Sequence, residues 1–166
     1  MTKPGFLLLL LAFAGTPAPD TVRASSAKIH EVLGGAAGYI DLHNTGATTL
    51  DIGGWSVQAC TGGAAPVELA TMPAGSEIPA HDHFLITAQG FGGTVQQLVV
   101  EAIVGDGELL LDRRGARVDS VGWAPSSPCR ENQAAVSCPG LAQARDAASR
   151  DTDNNKADFG CVRPTD

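Results

Sequence analysis

The sequence predicts one all-β domain, a β-sandwich or barrel, on three observations. Apolar residues alternate with polar ones over short stretches, the period of a half-buried strand. Gly, Pro, Asn or Asp interrupts the pattern about every ten residues, the spacing of turns between short strands. Before residue 140 no stretch keeps the three-to-four-residue apolar spacing of a helix. With 166 residues, 20 of them Gly and 10 Pro, the chain is long enough to bury a core of its own and too short for two full domains.

The elements follow in order. Ile29, Val32 and Leu33 open the first strand, which Gly34-Gly35 breaks. From Gly38 to Asn44, Ile40 and Leu42 are expected to face inward, with Tyr39, Asp41 and His43 on the opposite face. Asn44-Thr45-Gly46 is a turn, and Gly53-Gly54 bends the chain into the apolar row Trp55, Val57 and Ala59. Val67 to Met72 and Phe84 to Ala88 continue the pattern, with Phe84 and Ile86 on one face. Residues 89–94 (QGFGGT) lack the Lys and the following helix of a phosphate loop. Glu108 to Asp112 and Ala116 to Gly122 flank Arg113-Arg114-Gly115, the signature of a hairpin, with Leu109 and Leu111 expected in the core. Val121 and Trp123 are expected to join them. Ala124 to Gly140 is rich in Pro, Ser and Cys, and a polar hairpin is expected between Leu141 and Phe159.

The first 24 residues are read separately. Lys3 followed by the apolar run Phe6 to Ala14 has the form of a secretory signal peptide, and Val22-Arg23-Ala24 places cleavage after Ala24. Removing Lys3, Asp20 and Arg23 shifts the formal net charge from −7 to −8. Such a chain repels phosphate backbones, so nucleic acid is excluded as a partner. No later stretch is long and apolar enough to span a membrane as a helix. The mature domain is therefore expected to cover residues 25–166, to be extracellular, and to close with a disulfide-braced segment over about 124–166.

In an exported chain an even number of cysteines implies disulfides. Cys60, Cys129, Cys138 and Cys161 allow three pairings. Cys138 with Cys161, which bracket one short polar segment, is preferred, leaving Cys60 with Cys129. A cysteine zinc site would need closely spaced ligand pairs, which this sequence lacks.

The order of these motifs resembles the lamin tail domain family. The residues that carry the resemblance are 39–46 (YIDLHNTG), 50–55 (LDIGGW), Ile78-Pro79-Ala80, 107–111 (GELLL) and 118–123 (VDSVGW). Ala144-Arg145-Asp146, 151–155 (DTDNN) and Ala157-Asp158-Phe159 are similar to the final hairpin of secreted bacterial members. Three positions depart from the family's habit: Asp41 stands where Glu is common, His43 where an aromatic residue is common, and His81 where Gly follows Pro-Ala. The resemblance implies an immunoglobulin-like sandwich with Trp55 and Trp123 buried, and an interaction or structural module rather than a catalyst. The coiled-coil rod of intermediate filaments is absent, since no heptad pattern occurs.

Candidate chemistry is sparse. His81-Asp82-His83 offers two imidazoles and a carboxylate, the donor types of a zinc site, but Pro79-Ala80 before it favours a solvated turn. His30 and His43 lie singly in strand patterns and are expected at the surface or a sheet edge. Asp151, Asp153, Asn155 and Asp158 offer alternating oxygen ligands of the kind calcium takes. Lys156 and Val162, however, stand where an EF-hand loop needs Gly and Glu, so side-chain caps on turn amides are the simpler reading. Asp106 and Glu108 are expected as surface charge. No nucleophile elbow or triad spacing occurs, and no catalytic residue or cofactor is expected. The function expected is a non-catalytic extracellular structural or binding module, whose partner is an extracellular or cell-surface protein or polymer. The alternative is a protein dependent on calcium or zinc, an accessory to a hydrolase.

Overall fold

The computed structural model describes residues 25–95 and 97–164; the signal-peptide expectation for residues 1–24 lies outside them. Strands are formed by Ala27–Leu33 (β1), Tyr39–Asn44 (β2), Leu50–Asp51 (β3), Ser56–Cys60 (β4), Val67–Thr71 (β5) and Glu77–Ile78 (β6). They continue with His83–Ala88 (β7), Leu98–Val100 (β8), Gly107–Leu111 (β9), Arg117–Gly122 (β10) and Ala142–Ala144 (β11). A one-turn helix, Asn155–Asp158 (α1), precedes the strand Gly160–Val162 (β12).

Two sheets face each other across one apolar core. The larger runs β12-β11-β1-β2-β7-β8 and the smaller β10-β9-β4-β5, with β3-β6 as a separate two-stranded ribbon. All pairings are antiparallel except β7 with β8. Ile29, Val32, Ile40, Leu42, Phe84 and Ile86 from one sheet meet Val57, Leu110 and Val121 from the other, with Trp55 between them. This is an immunoglobulin-like β-sandwich.

A bulge explains the spacing of β1. Ile29 pairs with Leu42 but Glu31 pairs with Asp41, so His30 is the extra residue of a β-bulge. The bulge resets the alternation and brings Val32, three residues after Ile29, onto the inner face. It also leaves His30 on the outer face beside Glu31.

The expectation for β9 is corrected. Leu110, opposite Val57 in β4, is the fully buried leucine, and Leu109 and Leu111 are only half-buried. The inner face of this strand is shared by Glu108, which the sequence reading placed at the surface and which is fully buried. With Glu108 and Leu110 inward the strand lies one position away from the expected phase, and a one-residue slip exchanges the faces. Trp123 is also half-buried, not enclosed, and lies in a shallow groove with Ile103, Gly105 and Leu141.

Both disulfides join residues that the fold brings close. Cys60 at the end of β4 binds Cys129, with Cα atoms 5.9 Å apart, and Cys138 binds Cys161 of β12 at 5.4 Å. Gly122 permits the first of these anchors. A Cβ there would meet the Arg130 amide nitrogen at 2.6 Å, so only glycine lets the 127–130 segment lie against β10.

Candidate functional site

Two polar clusters are built on β1, one on each of its faces. The first lies where β1 meets β10 and is centred on Arg145, the residue after β11. Its amide donates to the His30 carbonyl at 2.8 Å, so the strand pairing delivers its side chain into the sandwich. There the guanidinium, with 0% side-chain exposure, lies 2.9 Å from Asp119 and 3.3 Å from each of Asp151 and Asp158. Nε also donates to the Ile29 carbonyl at 3.1 Å, and the group sits over the Phe159 ring at 4.4 Å. Planar guanidinium suits this role because its five donors can satisfy several carboxylates at once.

The electrostatics of this cluster follow from burial set against pairing. Burial pushes the Asp119 carboxyl up to about 7, while Arg145 pulls it down. Burial and then Asp151 raise Glu131. Burial also pushes Asp151 up, but Lys28, the Asp153 amide and Arg145 outweigh it and leave its carboxyl below the ordinary value. Lys28 is 2.6 Å from Asp151.

The calcium candidates are drawn apart. Asp151 and Asp158 bond Arg145, Asp158 also caps the Thr152 amide at 2.9 Å, and Asp153 is exposed. Asn155 points to β10 instead: its Oδ1 accepts from the Gly122 and Glu131 amides, each at 2.9 Å, and its Nδ2 donates to the Ser120 carbonyl at 3.0 Å. The four residues do not converge as a calcium set; Asp158 on the Thr152 amide and Asp151 on the Asp153 amide are turn caps of the kind the sequence favours. Only Asp151 and Asp158 close around Arg145, while Asn155 Oδ1 accepts from the Gly122 and Glu131 amides. A different acidic group, Asp119, Glu131 and Asp151, does approach closely enough to share an ion. Arg145 is bound to two of these carboxylates and lies 3.9 Å from the third.

The second cluster lies on the outer face of the larger sheet. His43 of β2 and His83 of β7 are direct cross-strand partners, and their rings stack in parallel, centroids 4.4 Å apart. His30, at the bulge of β1, lies edge-on to both, at 5.8 Å from His43 and 5.3 Å from His83. The Ser149 hydroxyl is 2.7 Å from Nδ1 of His30 and 2.8 Å from Nδ1 of His43. His83 Nδ1 is 2.8 Å from Asp41. The sequence reading placed His30 and His43 at the surface or a sheet edge; His43 is buried and His30 half-buried. Single histidines far apart in sequence carry no signal of this, because register and a bulge bring them together.

His81 and Asp82 occupy an exposed turn, in which Asp82 donates its amide to the Pro79 carbonyl and His81 has φ 59°. His81 and His83 therefore do not share a strand face. The parallel rings of His43 and His83 are equally unsuited to one metal ion, since an imidazole ligates in its own plane and these planes do not converge.

The fold and both clusters describe a β-sandwich module whose polar side chains are largely engaged with one another. The family model for the lamin tail domain matches residues 22–125, and the chain belongs to that family. No curated protein matches it at a significant level. The match ends before Arg145 and Ser149, so the segment that completes both clusters lies beyond the matched residues.

Proposed function

We propose that this chain is a non-catalytic, extracellular lamin tail domain protein that binds a cell-surface protein or polymer. The observation that carries the reading is the inward closure of its polar groups. Arg145 is consumed by buried carboxylates. Ser149, the one serine hydroxyl bonded to histidine among the described residues, is 2% exposed and out of reach of a substrate. Family membership supports a module of this kind. The apolar segment before residue 25 and the two disulfides support export, since such bridges persist in oxidising compartments. Among the described residues no helix is long and apolar enough to cross a membrane.

Two experiments test the proposal. Cells expressing the full chain should release it with Ser25 as its first residue, read by mass spectrometry of the medium. Retention of an intact leader in the cell fraction overturns the export reading. The alternative, metal dependence, draws its support from the proximity of Asp119, Glu131 and Asp151. Thermal unfolding of the oxidised protein in chelator, in calcium and in zinc separates the two, because an ion that binds only the folded state at 100 times its Kd adds about 2.7 kcal/mol. The module reading expects equal midpoints in all three.

A further inference from the structure

We propose that the histidine trio His30, His43 and His83, with Ser149 as its latch, is an acid-sensitive switch that releases the segment Asp146–Arg150 from the outer face of the larger sheet. The geometry carries the argument. Three imidazoles on three adjacent strands lie within 4.4–5.8 Å of one another, so charging one opposes charging the next. One hydroxyl joins the segment to two of them. Ser149 Oγ has a single proton to donate, so it must accept from the other partner, and one Nδ1 must carry a lone pair. When both rings are protonated each Nδ1 is a donor, and the hydroxyl loses the acceptor for its own proton. Ser149 is held at φ 50°, a left-handed conformation that disfavours non-glycine residues, so the latch works against local backbone preference.

The surrounding charges set the direction. His30 faces His83, His43, Asp146 and Arg145, and burial followed by the neighbouring imidazoles lowers it to about 4. His43 faces His83, His81 and Asp82, and burial is again the main cause of its lowered value. Asp41 faces His83, Glu31 and Asp82, and burial raises it to about 6. Acidification therefore neutralises the carboxylate paired with His83 while it forces protons onto the rings. Asp146 behaves oppositely. The Arg150 amide holds its carboxyl below the ordinary range, so it stays ionised at pH 5 and acid acts on the segment through the imidazoles and not through Asp146. Once the Ser149 latch fails, the segment leaves the sheet and the Ser149 and Arg150 amides, which donate to Asp146, open with it.

A histidine whose folded value is lowered from 6.5 to about 4 contributes full stability above 6.5 and loses it as pH falls toward 4. If release restores an ordinary value to His30 alone, linkage increases the released population up to about 30-fold between pH 7.5 and pH 5.

Amide hydrogen exchange on the oxidised full chain, corrected for intrinsic rates, tests this. Protection of the Ser149 and Arg150 amides should fall up to about 30-fold between pH 7.5 and pH 5 while Val57 and Leu110 in the smaller sheet keep theirs. In the double variant His30→Gln, His43→Gln the difference between the two pH values should vanish. Constant protection in the native chain, an equal fall in the double variant, or a uniform fall across both sheets each overturns the proposal. Should the double variant not fold, histidine titration of the native chain by NMR decides: ordinary values for both His30 and His43 overturn the switch.

Discussion

Arg145 Nη2 and Asp119 Oδ1 lie 2.9 Å apart with neither side chain exposed to solvent, and this pair joins the two sheets at the end of the sandwich. Arg145 follows β11 and Asp119 belongs to β10, which are in different sheets. Asp119 Oδ2 also accepts from the Ile29 amide of β1 at 2.6 Å, so one carboxylate ties three segments together.

Replacing Arg145 therefore strands carboxylates in the interior. Arg145→Met should destabilise the fold by about 3–5 kcal/mol, the usual cost of breaking one partner out of a buried pair. Adding Asp119→Leu should recover part of that loss. Denaturant unfolding of the single and double variants measures both, and an exposed pair such as Arg113 with Asp51 should show almost no effect.

Glu108 presents the opposite case. Both its carboxylate oxygens are buried without a hydrogen-bond partner among the described residues, and burial pushes its carboxyl well above the ordinary range. The folded state keeps a proton that the unfolded state gives up, so the stability this contributes is complete below about pH 4.5 and is lost as pH rises toward the folded value. Glu108→Met should raise stability by about 1–3 kcal/mol, with a larger gain at pH 8 than at pH 5. Equal gains at the two pH values would contradict a titrating Glu108.

Asn155 and Asp153 separate a structural loop from a metal loop. Asn155→Ala removes two acceptor bonds from buried backbone amides and should cost about 2–4 kcal/mol, whether or not calcium is present. Asp153→Ala, at an exposed position with φ 54°, should cost about 1 kcal/mol through backbone strain, and the same amount with and without calcium. Melting curves in chelator and in excess calcium read both variants.

The disulfides should contribute unequally. The chain between Cys60 and Cys129 spans 69 residues and that between Cys138 and Cys161 spans 23. Loop-closure entropy assigns about 4 kcal/mol to the first bridge and about 3 kcal/mol to the second. Paired Cys→Ser variants, compared by denaturant unfolding, should rank in that order.

Much of the fold is legible in local pattern. Alternation at Ile40 and Leu42, at Trp55 and Val57, and at Phe84 and Ile86 marks inner faces, because a strand's side chains must alternate whatever surrounds it. Turn residues mark its ends for the same local reason. The hairpin around Gly115 needs a residue at φ 76°, and glycine stands there. The family resemblance rests on the order of such motifs, and spacing favours one of three cysteine pairings, the one the structure contains.

What local pattern does not contain is the identity of distant partners. Three consecutive leucines in β9 give no phase, and the burial of Glu108 is decided by the opposing strand and sheet. His30, His43, His83 and Ser149 are unremarkable one by one in sequence and meet only through cross-strand register, one bulge and the return of the chain after β11. Arg145 likewise looks like one more surface cation in a polar stretch until strand pairing places it among Asp119, Asp151 and Asp158. The sequence by itself determined an all-β domain and its turns, because these depend on backbone preference and alternation, and the resemblance narrowed it to a sandwich. Only the tertiary structure decided which charges are buried and which imidazoles touch, because burial and Coulomb interaction depend on distance in space, which sequence separation does not measure.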